Sequence, residues 1–564
     1  MADAEFLHAL QHAVVREVRS ALGEQVGPLD RHRRLMERAK LFVSAFLWPG
    51  SECHGDAGLV AAARRDIGEL RALQGSGGLF GGGGNLDSPP DTSFTVNDVC
   101  DTLHIIGASG GADAALAEIA AELDAIADAA EPALIAGGVH TPNHRWEISA
   151  ALARLHRRRP SELLRDRATR WLAEGIDITT DGLYSERSAN YAAHVSNPSL
   201  TVIADVFDHP DARAAVVRNL ESTLGLINPD DTVETVHSRR QDQLRLFPLG
   251  PYLTMYRRYA IELGRGDLAW AARRALRGGV ARPATALAEL LIDPRIGASL
   301  PAATPPAQEH RWDQSALVVH ERADRRLVVF GGTDYARFRR VRSGLSTNPT
   351  FLRLFAGDAV LDSVRLSRDF FGLGPFRADA LTTHRGTGGV VHHELIETVS
   401  AGYYQPLASA RYDPSGAYAL TDEGRFCAAM SFPDRPRDEV RLRTRIDIAP
   451  TADGAAISLS FDGADCAWAL ELAFREGGRF EGVTAQDDGA HVLAHGTGRY
   501  RLGRSTISFE AGADYRADGP AHYHPGEEYA FLGATDAAPG RRVYLTGRSP
   551  GRLELTLRAT SAGR

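Results

Sequence analysis

The sequence predicts an α+β multidomain chain: an N-terminal half of paired helices stacked in an array or ring, then a C-terminal antiparallel β-sandwich. Three observations carry this prediction. The chain has 564 residues, beyond the ~250–300 at which a single hydrophobic core stops growing. Its apolar residues recur with helical spacing up to residue 305 and with a period of two after residue 312. Between these halves, PAATPPAQ at 301–308 has the composition of a linker. The expected domains are therefore 1–305 and 312–564.

In the first half, residues 115–129 (ALAEIAAELDAIADA) place apolar side chains on one helical face. Residues 148–156, 211–226, 252–263 and 268–277 do the same. Ala-rich amphipathic helices with short connections pack as pairs, and no exact sequence repeat marks a solenoid. Residues 74–90 (QGSGGLFGGGGNLDSPP) break the pattern. Glycine is costly in a helix and proline more so, so a long loop is expected there. It is not a phosphate loop, because no GK[ST] ends it. In the second half, 315–320, 326–331, 444–448, 456–461, 467–474, 505–510, 543–546 and 553–558 read as strands between Gly and Asp turns.

Composition narrows the function. The formal charge is −8, which gives no general attraction to nucleic acid or anionic membrane. Lys40 is the only lysine. Lysine Schiff-base chemistry is thus disfavoured, and anion recognition falls to arginine forks, which suit carboxylates and sulfates. The cysteines Cys53, Cys100, Cys427 and Cys466 form no CxxC pair, arguing against a disulfide scaffold or a cysteine metal site. The N-terminus lacks an apolar signal core, and no run reaches 18 apolar residues. The expectation is a cytoplasmic protein with no membrane or nucleic-acid partner; homodimerisation through the β half stays open.

Three segments of the helical half hold more polar and aromatic groups than packing requires. Residues 137–147 (GGVHTPNHRWE) offer His140, Asn143, His144, Arg145 and Trp146. Residues 181–194 (DGLYSERSANYAAH) offer Tyr184, Glu186 and Tyr191; on a helix the two tyrosines, seven apart, would share a face. Residues 235–243 (TVHSRRQDQ) put Arg239 beside Arg240, either a surface salt-bridge cluster or a carboxylate clamp. Several of these have plain structural readings: Thr141 as a helix cap, and both tyrosines as half-buried core.

The Asn143–His144 pair at a helix start, followed about forty residues later by DGxYxExSxxY, resembles the helical domain of heparinase II/III-like polysaccharide lyases, the oligoalginate lyases among them. The resemblance spans residues 80–260. It implies an (α/α) toroid followed by a β-sandwich, and cleavage of uronate glycans by β-elimination to 4,5-unsaturated products. It also implies that Asn143 neutralises the uronate carboxylate, while His144 and Tyr191 exchange the C5 and C4-oxygen protons. Arg239 joins these as a candidate, because an amide and a guanidinium both stabilise the dianionic intermediate. His140, Arg145, Trp146, Tyr184, Glu186 and Arg240 are expected around the substrate, with His393 and Tyr404 contributed by the β half.

The β half departs from the family pattern. Where many members carry HxHxD, this chain offers THRGTGGVVHHE at 383–394. His392 and His393 are adjacent, so in a strand they face opposite sides and cannot chelate one ion as an HxH pair does. No cofactor is therefore expected, since neither zinc nor calcium has a clear ligand set. HYH at 522–524 reads as a turn, and Arg365 and Arg368 as either buried or groove-lining. Two other functions remain open. A hydrolase would need paired carboxylates from Asp98, Glu147, Asp181 and Glu186, and the fold could also serve as a non-catalytic binder of acidic glycans.

Overall fold

The computed structural model describes the chain except residues 1, 29–30, 83–84, 111–112, 244, 323–324, 336–347, 522, 524–537 and 562–564. The HYH segment falls outside the described residues apart from Tyr523. The chain forms two compact units: Met1–Glu234 with Leu246–Ala307, and Thr235–Arg245 with Gln308–Arg564. The short segment carrying Arg239 and Arg240 thus belongs with the β-rich unit, although in sequence it interrupts the helical one.

The helical unit forms where the periodicity placed it. The 115–129 pattern becomes Ala114–Ala136, the 148–156 pattern becomes Pro142–Arg158, and the 211–226 pattern becomes Pro210–Leu224. Side-chain caps fix several starts. Asp3 Oδ1 accepts from Phe6 N at 3.2 Å and Asp113 Oδ1 from Ala115 N at 2.8 Å, each satisfying a donor that the first helical turn leaves orphaned. Successive helices pair, and the last, Pro283–Ile292, packs on Ala4–Gly23 and Arg31–Leu47, so the array closes into a ring. The buried Arg257 guanidinium seals that closure by donating to Asp3 at 2.9 Å and to the carbonyls of Ile296 and Ala298.

The glycine-rich stretch differs in part from the expected loop. Phe80–Gly82 and Asn85–Ser88 pair as a small hairpin, and a helix, Pro89–Ala108, begins at its two prolines. Proline is tolerated in a first helical turn, where its missing N–H has no partner anyway, and the Ser88 hydroxyl caps Asp91 N.

The second unit is a sandwich of an eight-stranded and a nine-stranded sheet among the described residues. All strand pairings within these sheets are antiparallel except His491–Val492 beside Arg541–Arg548. Alternation along Ser505–Ala511 and Gly551–Thr560 turns Ile507, Phe509, Leu553, Leu555 and Leu557 into the space between the sheets. Arg365 and Arg368, ambiguous in sequence, are buried ion-pair members here. They meet Glu471 at 2.7 Å and Glu397 at 2.6 Å, because a buried charge persists only with a partner. No described helix is long and apolar enough to cross a membrane.

Candidate active site in the helical unit

A cavity of about 800 Å³ opens within the helical ring. Its wall draws on Arg31–Leu47, Pro89–Ala108, Pro142–Arg158, Asn197–Phe207 and Pro283–Ile292, the helices that pack on one another around the ring's interior. The lining is polar and bears both charge signs. Arg33, Arg34, Lys40, Arg154 and Arg282 contribute cations, and Glu37, Asp98, Asp101, Glu147 and Glu289 contribute carboxyls. Several of these groups are tied together. Arg154 grips Asp101 with two bonds of 2.8 and 2.9 Å, and Lys40 meets Asp98 at 2.5 Å. Arg33 pairs with Asp91 and lies 4.0 Å over the Phe94 ring.

Tyr191 lines this cavity together with Asn190 and His194. Their placement follows from local backbone. The Asp181–Gly182 turn puts Gly182 at φ +79°, packed so closely that a Cβ would stand 2.7 Å from Arg218 O. Asn219 donates to Gly182 O at 3.0 Å and accepts from Asn197 at 2.9 Å, and Asn197 in turn accepts from the Tyr184 hydroxyl at 2.8 Å. This buried network holds the loop. Arg187 then takes a left-handed backbone at φ +51°, uncommon for a side chain with a Cβ. Ser188 Oγ caps Tyr191 N, and Ala192–Ser196 widens into a single π-helical turn, a distortion often found at functional sites.

The two motif segments meet at Asn143. Its side chain is buried, and Nδ2 donates to Glu186 Oε2 at 2.5 Å, a contact bridging 43 residues of sequence. Among the described residues no hydrogen-bond partner reaches Asn143 Oδ1. Asn143 stands one helical turn before Glu147, which is on the cavity wall. His144 packs edge-on against Phe94, another wall residue, at 6.4 Å, and against His140 at 4.8 Å.

Electrostatics sort the titratable groups. Burial pushes Glu147 above the usual carboxylate range, against the opposing bonds from Asn97 at 2.6 Å and Ser199 at 2.9 Å. Burial likewise raises Glu289. Glu37 is lowered, since Arg282, Arg34 and Lys40 together outweigh its desolvation. Burial, with help from Arg282, lowers His194 to about 4, so its imidazole is neutral near pH ~7. The Arg282 guanidinium donates to His194 Nδ1 at 3.1 Å, which leaves Nε2 to carry the ring proton.

Several residues expected at the site do other work. Trp146 is fully buried, its indole N–H held by Asp177 at 2.9 Å, so it is core. Arg145 lies 4.6 Å over that indole and pairs with Glu174 and Asp177. Tyr184 is 5% exposed and outside any helix, so it shares no helical face with Tyr191; burial drives its phenol well above the ordinary value. Arg239 spends its fork on Asp334 at 2.6 and 2.9 Å within the β-rich unit, and Arg240 lies on the same segment. His393 is 1% exposed, its Nε2 2.8 Å from His320 Nε2, so it is a core residue of the sandwich. Tyr404 packs against Phe432 in that unit. His194 and Arg282 are cavity residues to which the sequence assigns no site role, and Glu147, a candidate there only as a hydrolase carboxylate, lines the same wall. His194 stands three residues after Tyr191 in the same dense run, whereas nothing local marks Arg282.

Comparison with known proteins bears on the fold. No protein-family model matches the sequence, and no curated protein matches it. Solved structures do match. The class is a helical toroid joined to an antiparallel β-sandwich. Heparinase III shares it with a TM-score of 0.56 and 12% identity, over 95% of this chain and 77% of that one. Chondroitin AC lyase of Streptomyces coelicolor A3, in complex with chondroitin sulphate, gives 0.58 and 13%, over 100% and 80%. A Paenibacillus xanthan lyase gives 0.55 and 10%, over 100% and 56%. The fold is thus that of polysaccharide lyases.

Proposed function

We propose that this protein is a polysaccharide or oligosaccharide lyase, a carbon–oxygen lyase that cleaves uronate glycans by β-elimination. The observation that carries the reading is Tyr191, set by a π-turn on the wall of a large polar cavity beside a neutral His194 and the cation of Arg282. The named lyases of the same fold support it. In the reaction a base removes the proton on C5 of the uronate, electrons move into the C4–C5 bond, and the C4 oxygen leaves with a proton. The C5 proton becomes acidic enough only when the carboxylate charge is masked. Arg33 and Arg282 are the cavity cations we assign to that carboxylate, in place of Arg239. Asn143, anchored by Glu186, adds an amide dipole, and Tyr191 serves as acid, base or both, with His144 assisting.

A second reading has one observation in its favour. Glu147 is a buried carboxyl with a raised pKa facing the cavity, a general-acid arrangement that a glycoside hydrolase would use. One experiment separates the two. Uronate polysaccharides and oligosaccharides are incubated with the purified protein while ultraviolet absorbance and reducing ends are followed. New absorbance from the C4–C5 double bond, lost in Tyr191→Phe, supports the lyase. Reducing ends without absorbance, lost in Glu147→Gln, support the hydrolase.

A further inference from the structure

Resting on the lyase reading above, we propose that the cavity selects an unsulfated uronate glycan and that its own carboxylates turn sulfate esters away. Two helices set the charge pattern. On Arg31–Leu47, the residues Arg33, Arg34, Glu37 and Lys40 recur at helical spacing and line the cavity. On Pro89–Ala108, the residues Phe94, Asn97, Asp98 and Asp101 do the same. The two helices pack on each other, so a row of cations meets a row of carboxylates.

Most of the wall cations are spent inside the protein. Arg34 is shared among Glu17 at 3.1 Å, Glu24 at 2.7 Å and Glu37 at 2.8 Å. Arg154 adds a bond to Asn97 Oδ1 at 3.0 Å to the two it gives Asp101. The Lys40 side chain is 4% exposed and lies against Asp98. Arg33 and Arg282 have the most exposed side chains of the five, at 32% and 41%, and these are the two assigned to the uronate carboxylate. Among the described residues the wall sets five cations against five carboxyl groups, a formal charge of zero. Burial raises Glu147 and Glu289. With both protonated, five cations face three carboxylates, and Asp91, paired with Arg33, leaves a single positive charge. One uronate carboxylate matches it.

Arginine forks suit carboxylates and sulfates alike, and this charge balance decides between them. Every sulfate ester adds a full negative charge to the glycan and calls for a further cation, while Arg34, Lys40 and Arg154 are already held by carboxylates. The rest of the polar wall, with Asn97, Asp98, Asn190, Ser199 and Thr285, suits sugar hydroxyls. A hydroxyl donates to the Asp98 carboxylate. A sulfate ester has no proton to donate, and the like charges repel in a partly enclosed site where water screens them poorly. Asp98 thus acts as a specificity-determining residue, since discrimination rests on repulsion of the wrong ligand as much as on attraction of the right one.

The test compares alginate, hyaluronan, chondroitin and heparosan, each against a chemically sulfated form of itself, with the full chain and ultraviolet absorbance as readout. For whichever polymer is cleaved best, sulfation should lower kcat/KM by at least about 100-fold. In Asp98→Asn the Lys40 ammonium loses its counter-charge, so the ratio of sulfated to unsulfated turnover should rise at least about tenfold; a damaged fold lowers both alike. Binding is measured separately, by calorimetry on the Tyr191→Phe chain with the same polymers, and should follow the same order. A sulfated polymer cleaved or bound as well as its unsulfated parent would overturn this inference and leave the lyase reading standing. Preferred binding of unsulfated uronates, with reducing ends released and no absorbance, would keep the charge argument and remove the lyase reading. An unmoved ratio in Asp98→Asn, or binding to none of the polymers, also overturns the inference.

Discussion

The buried His320–His393 pair makes the sandwich acid-sensitive by an amount the structure allows to be worked out. The two Nε2 atoms are 2.8 Å apart, and Thr383 Oγ1 meets His393 Nδ1 at 2.9 Å. Burial is the largest cause lowering His393 from 6.5 to about 4, followed by the neighbouring His320 and Arg311; His320 is lowered as well, again mainly by burial. A histidine whose folded pKa is depressed is neutral in the fold, whereas the unfolded chain takes up the proton from about 6.5 downward. Stability is therefore full above the unfolded value and falls with pH until the folded value near 4 is reached. For His393 alone the linkage amounts to about 2 kcal/mol lost between pH ~7.5 and ~5. The assay is denaturant unfolding of wild type and His320→Leu/His393→Leu across that range. Replacing both partners with apolar groups removes the titration and takes a bond only from the half-buried Thr383 hydroxyl. Other titrating groups are common to both proteins and cancel in the difference. Wild type should lose at least about 2 kcal/mol more than the double variant, because His320 adds to the His393 contribution. An equal acid loss in the two proteins would refute the reasoning.

Other perturbations test the helical unit. Tyr191→Phe should lower kcat on a uronate substrate by about 10²–10⁴-fold, the usual contribution of a positioned acid or base, while leaving the melting temperature unchanged. Glu186→Gln should cost far less in steady-state turnover, because Glu186 anchors Asn143 and is not one of the residues lining the cavity; a near-total loss would instead point to hydrolase chemistry. Gly182→Ala should destabilise by at least ~1–3 kcal/mol in thermal unfolding, since φ is +79° and the added Cβ meets Arg218 O at 2.7 Å. Trp146→Ala should cost ~3–5 kcal/mol of stability as a fully buried side chain, measured by the same melts.

Much of the architecture was legible because it rests on short-range rules. Helical spacing found Ala114–Ala136 and Pro210–Leu224, and alternation found Ser505–Ala511 and Gly551–Thr560. Strand alternation also separated His392 from His393: the first meets Asp447, the second His320 on the opposite face. The site was legible only in part. Tyr191 could be picked out by motif and does line the cavity, yet Trp146 and Tyr184 in the same dense segments turned out to be core.

Backbone period and caps a few residues away set the class of each element, its approximate bounds and the side on which neighbouring residues fall, so these can be read from the chain order alone. Which polar groups face one another depends on the folded arrangement. Arg282 reaches His194 across 88 residues, Arg257 closes the ring on Asp3 across 254, and His384 finds His392 through strand register and Asp447 across 55 more. Those pairings come from ring closure and sheet register, where many weak long-range contacts act together, and no local pattern encodes their sum.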